Sequence, residues 1–77
     1  MNIDIQDVIT LDDHNDYVVV SKTVYQGKTY YLLVDTLHSH TMLCYEDQGE
    51  LVENKNKDLN TKLLPYLVKE SLQNMKN

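Results

Sequence analysis

The chain has 77 residues, 42% of them apolar, and a formal charge of −5 from twelve Asp and Glu against seven Lys and no Arg. That leaves room for one domain, 1–77, near the length at which apolar burial only just outweighs chain entropy, and it argues against wholesale disorder. Without arginine, the side chain best matched to phosphate and guanine, direct nucleic-acid binding is not expected. The apolar run Thr29 to Val34 is far too short to span a membrane.

Cys44 is the only cysteine, so no intramolecular disulfide can form. With no secretory leader at the N-terminus, a cytoplasmic location is expected. All six aromatics are tyrosines, which favour sites where the ring is buried and the hydroxyl stays wet or paired. The expectation is a thin core of Leu, Val and Ile with Tyr at its margins, made by one sheet and one helix.

In chain order, Met1 to Gln6 alternates Ile3 and Ile5 with polar neighbours and extends a first strand, which Val8 to Leu11 continues. Asp12-Asp13-His14-Asn15-Asp16 reads as a polar loop of residues that bond their own backbone in turns. Tyr17 to Asp35 then reads as a long hairpin centred on Gln26-Gly27, its arms rich in Val, Tyr and Thr. In the first arm Val18, Val20, Lys22 and Val24 alternate with Tyr17, Val19, Ser21, Thr23 and Tyr25. Neither set is purely apolar. A helix on one face leaves Val19 or Val20 half exposed unless a bulge near Ser21-Lys22 swaps the faces. In the second arm, Tyr30, Leu32 and Val34 make the cleaner core set, with Thr29, Tyr31, Leu33 and Asp35 behind them.

Leu37 to His40 reads as a loop and Thr41 to Glu46 as a strand. Asp47-Gln48-Gly49-Glu50 is a turn, and Leu51 to Glu53 a short last strand. From Asn54 the period becomes helical: Leu59, Leu63, Leu67 and Leu72 recur with Leu64 and Val68 beside them. Asp58 is the expected N-cap, and Lys69 and Lys76 lie towards the favourable C-terminal end. Pro65 predicts a kink, or else a short turn before a separate helix. Short connections require antiparallel neighbours. The fold expected is α+β: an antiparallel meander of four to five strands with a C-terminal helix, kinked at Pro65, on one face.

Catalytic motifs are scarce. His38-x-His40 with Cys44 has the outline of a metal site, but zinc needs further clustered ligands, and a polar two-histidine loop is the simpler reading. Cys44 sits between Leu43 and Tyr45 as an inert strand cysteine sits, not as an activated nucleophile. The Asp12–Asp16 loop lacks the glycine and terminal glutamate of a helix-flanked calcium loop. Gly27 and Gly49 are the only glycines, so no phosphate-cradling loop exists. Neither catalysis, cofactor nor metal is expected.

Ile9-Thr10-Leu11-Asp12-Asp13, Tyr17 to Val20 and Tyr25 to Val34 resemble the YrzB-like domain of unknown function found in Gram-positive bacteria and their phages. Cys44-Tyr45-Glu46-Asp47, Glu50-Leu51-Val52-Glu53 and Leu63-Leu64-Pro65 extend the resemblance over most of the chain. The His38-Ser39-His40 loop departs from the more acidic fourth-strand region usual there. The resemblance implies the strand-and-helix order and a cytoplasmic setting, and it carries over no site residues.

The functional expectation is a non-enzymatic protein–protein interaction module. It would bind a protein partner, or itself, through a sheet face or edge, with Tyr17, Val19, Tyr25, Tyr31 and Leu33 as the candidate surface. The alternative is a phage-type inhibitor whose acidic surface imitates nucleic acid.

Overall fold

Five strands, β1 (Val8–Thr10), β2 (Asp16–Tyr25), β3 (Lys28–Asp35), β4 (Thr41–Asp47) and β5 (Glu50–Glu53), precede one helix, α1 (Lys57–Met75). They are seen in a computed structural model that describes residues 3–75. The strands form one antiparallel sheet in the order β1-β2-β3-β4-β5, curled into a half-barrel, and α1 packs against β2 and β3.

Both two-residue hairpins use the same device. Gln26-Gly27 and Gln48-Gly49 all have positive φ, between 50° and 81°, the pattern of the turn whose twist matches that of paired strands. Glycine adopts it without a Cβ penalty; glutamine does not.

The register of β2 on β3 explains how one hairpin serves two faces. Val19 lies opposite Leu33, and the next partnered residue, Ser21, lies opposite Leu32. Val20 is the extra residue of a β-bulge, one position before the site that the alternation predicts. Up to Val19 the odd residues of β2 face away from the helix; from Ser21 onward the odd residues face towards it. Val19 and Val20 are therefore both covered.

The result is two cores rather than one thin one. On the helix face Tyr30, Leu32 and Leu43 are buried with Leu63 and Leu67, and Val20, Tyr25, Tyr45, Leu59 and Leu64 pack around them. On the inner face of the curl Tyr17, Val19, Tyr31, Leu33 and Cys44 are buried, flanked by Ile3, Ile9, Leu11, Met42 and Leu51. Curling brings the two edge strands round to cover a face that the helix does not reach.

At the N-terminus the expected strand extension is replaced by a turn. The Asp7 amide bonds the Asp4 carbonyl, and the Asp4 amide bonds the Asp7 carboxylate. Gln6 and Asp7 still pair with Val19: the Gln6 amide donates to the Val19 carbonyl at 2.7 Å, and the Val19 amide donates to Asp7 at 2.9 Å. Met1 and Asn2, also read as part of that strand, lie outside the described residues.

The helix begins one residue earlier than its acidic signal. Asn56 is the N-cap, accepting the Leu59 amide on Oδ1 at 3.2 Å, and Asp58 sits inside the first turn. Asn54, buried at the end of β5, donates from Nδ2 to Asn60 Oδ1 at 2.9 Å, and Asn60 Nδ2 returns to the Asn54 carbonyl. That exchange locks the strand-to-helix corner. The helix runs through Pro65 as one element, not as a turn followed by a second helix. Its buried stripe ends at Leu67, because Leu72, expected within the stripe, is 54% exposed, and Val68, expected beside it, is 45% exposed. No cation occupies the last described turn; Lys76 lies outside the described residues.

Candidate functional site

Four of the five residues expected to form an interaction surface are interior. Tyr17, Val19, Tyr31 and Leu33 are buried in the inner-face core, and Tyr25 packs half-buried at the margin of the helix-face core. The surplus apolar surface inferred from the hairpin is real, but the bulge and the curl of the sheet cover it. The exposed candidate surface lies elsewhere.

The buried tyrosines keep their hydroxyls at the rim. Tyr17 donates to Asp13 Oδ2 at 2.7 Å and Tyr31 to Glu46 Oε1 at 3.2 Å. The bond to a carboxylate pushes the Tyr17 phenol above its ordinary value, and burial followed by Glu46 does the same for Tyr31. Asp13 is held below the usual carboxylate range, first by the Asn15 amide and then by Tyr17.

Because the sheet curls without closing, the inner face opens between β1 and β5. The groove there, about 670 Å³, has walls of Ile3, Ile9, Leu11, Met42 and Leu51 with Cys44 in its lining. Asp12, Asp13, Glu50 and Glu53 stand along it. A second hollow, about 690 Å³, continues past Ile3 towards the β2–β3 turn and adds Asp4, Glu46 and Lys22. The charge of the chain is thus segregated. Residues 1–53 carry ten Asp and Glu against two Lys, and residues 54–77 carry two against five. The strand half, with the groove, is the anionic half.

One wall of the groove is also a sheet edge. Among the described residues, strand β5 has a single hydrogen-bonded neighbour, β4. The two-residue turn makes Asp47 and Glu50 a hydrogen-bonded pair, so Tyr45 with Val52 is the next, and Asn54 follows with its amide on the Leu43 carbonyl. The main-chain groups of Leu51 and Glu53 therefore point to the open side.

The residues weighed for metal or nucleophilic chemistry are dispersed. His38 and His40, both exposed, share the β3–β4 loop with ring centres 6.0 Å apart. His38 Nδ1 lies 2.9 Å from Asp35 Oδ2, and the Leu37 amide donates to Asp35 Oδ1 at 2.8 Å. Cys44 belongs to the inner-face core, where burial, with a lesser push from Glu53, raises its thiol to about 11. In the Asp12–Asp16 loop the carboxylates serve the loop itself: Asp13 accepts from Asn15 and Tyr17, and Asp16 from Thr10 at 2.6 Å. Among the described residues no group of three or more His, Cys, Asp and Glu could hold a metal ion.

On α1 the apolar residues Tyr66, Val68 and Leu72 are exposed, and Val68 and Leu72, four apart, share one face of the helix. No helix among the described residues is long and apolar enough to cross a membrane. Sequence reasoning missed the groove because its two walls, Ile9-Leu11 and Leu51, are forty residues apart; only the short acidic β5, Glu-Leu-Val-Glu, marked an edge. Comparison with family models, curated proteins and solved structures finds no match to the chain.

Proposed function

We propose that this protein is a non-enzymatic interaction module that binds a protein partner at the mouth of its half-barrel. The observation that carries the reading is the coincidence of an apolar groove with a sheet edge, β5, whose outward main-chain groups have no strand beside them among the described residues. An unpaired edge offers directional hydrogen bonds, and pockets alongside it accept alternate side chains of an added strand. A cytoplasmic setting and membership of the YrzB-like family belong to the same proposal and rest on the sequence motifs alone.

Site-specific photo-cross-linking in the native host tests it. A cross-linker at Asp12 or Glu50, on opposite sides of the groove, should trap the same protein, and one at Lys69 on the helix should not. Trapping only from Lys69, or nothing from either groove position, would defeat the reading.

A second reading, mimicry of nucleic acid by the acidic half, draws on the segregated charge: ten acidic residues against two Lys before Asn54. It predicts that double-stranded DNA displaces the trapped partner before cross-linking. A partner that DNA leaves in place removes this reading.

A further inference from the structure

We infer that the groove and the β5 edge accept an extended basic peptide segment, with an aliphatic side chain in the groove and lysine or arginine against its acidic rim. The inference rests on the interaction-module reading and names the chemistry of the partner.

Three features select the occupant. The groove walls, Ile9, Leu11 and Leu51 among them, are aliphatic and half-buried, so the inserted group is apolar. The rim carries Asp12, Asp13, Glu50 and Glu53, and no lysine among the described residues lines this groove. A cationic flank is favoured there, and an anionic one is repelled at close range. The outward amides and carbonyls of Leu51 and Glu53 ask for an extended chain rather than a helix.

A second copy of the chain is the competing occupant, since free edges readily pair with themselves. Self-pairing of β5 would gather Glu50 and Glu53 of both copies along one short seam. Like charges facing across a ladder destabilise it, and each copy already carries −5. The same acidic edge that welcomes a basic strand turns away its own kind.

The test is an NMR titration of the whole chain with a capped peptide of alternating lysine and valine, alongside the matching glutamate–valine peptide. Amide shifts are expected at Leu51 to Glu53 and at Ile9 to Asp13 with the lysine peptide only. Added salt should weaken the binding, and Glu50→Gln or Glu53→Gln should each weaken it about two- to fivefold, the range of an exposed ion pair. Both are surface changes, and an unchanged amide spectrum elsewhere confirms that the variants fold. No binding, equal binding of both peptides, shifts confined to α1, or a dimer joined through β5 overturns the inference. A natural partner that cross-links at the groove yet is acidic where it docks would overturn it while leaving the module reading intact.

Discussion

Val19 and Ser21 are two residues apart in one strand, yet their side chains lie on opposite faces of the sheet. A regular strand would put them on the same face; the bulge at Val20 separates them, setting Val19 against Leu33 and Ser21 against Leu32. Deleting Val20 makes Val19 and Ser21 neighbours and leaves Ser21, Thr23 and Tyr25 on the helix face, so the register survives and only the Val20 side chain beside the helix-face core is lost. The expected outcome is a urea transition that stays cooperative with a lowered midpoint; loss of the cooperative transition would contradict the bulge assignment.

Ser21 itself is fully buried, and its Oγ has no hydrogen-bond partner among the described residues. A buried hydroxyl without a partner costs desolvation and returns nothing, so Ser21→Ala should be neutral to stabilising, by up to ~1 kcal/mol. Chemical denaturation of the two proteins decides it. A loss above about 1 kcal/mol would mean that the hydroxyl has a stabilising role.

The glycines of the two turns make a cleaner case of backbone strain. A Cβ at Gly27 or Gly49 would meet nothing within 4 Å, yet φ is 79° and 81°. Gly27→Ala and Gly49→Ala should each cost about 1–2 kcal/mol from conformation alone. Gln26→Asn and Gln48→Asn, which suit positive φ better, should gain a few tenths of a kcal/mol. Denaturation midpoints of the four variants would order as asparagine, wild type, alanine.

At the helix start the cap and the carboxylate are distinct residues. Asn56→Ala removes the acceptor of the Leu59 amide and should cost about 1 kcal/mol. Asp58→Ala removes only a favourable charge near the helix N-terminus and should cost about 0.3–1 kcal/mol, shrinking in high salt. The Asn56 effect should be insensitive to salt.

Acid should loosen the β3–β4 loop first. Asp35 is held below its ordinary value of 3.8, chiefly by the His38 ring and then by the Leu37 amide. The unfolded chain therefore takes up this proton at higher pH than the folded protein. The contribution is fully present above the ordinary value and is lost as pH falls through the lower folded one. Urea midpoints should fall below about pH 4, the ordinary carboxylate value, and Asp35→Asn should flatten that fall. Asp13, depressed by Asn15 and Tyr17, adds to the same slope.

Local chemistry made most of the fold legible. Gln26-Gly27 and Gln48-Gly49 mark both tight turns, and the shift from two-residue to helical periodicity at Asn54 marks the helix. The bulge was legible too, since two incompatible sets of valines can be reconciled only by a change of face. What could not be read was coverage. Tyr31 and Leu33 look surplus when one helix is the only lid, and it takes the curl of the sheet, a summed twist of five strands, to bury them. The N-cap was misplaced by two residues because Asn56 and Asp58 are both good caps, and the Asn54–Asn60 exchange at the corner favours the first. The groove depends on the same long-range curl, so no local pattern announced it.

The central claim is that a partner docks on the open edge of β5 beside the inner groove, and amide hydrogen exchange reads that edge directly. In the unbound chain the amides of Leu51 and Glu53 should exchange rapidly and that of Val52, paired with Tyr45, slowly. With the cross-linking partner bound, Leu51 and Glu53 should become protected while Tyr66, Val68 and Leu72 on α1 are unchanged. Protection of both edge amides in the unbound monomer, or partner-induced protection confined to α1, would contradict the account.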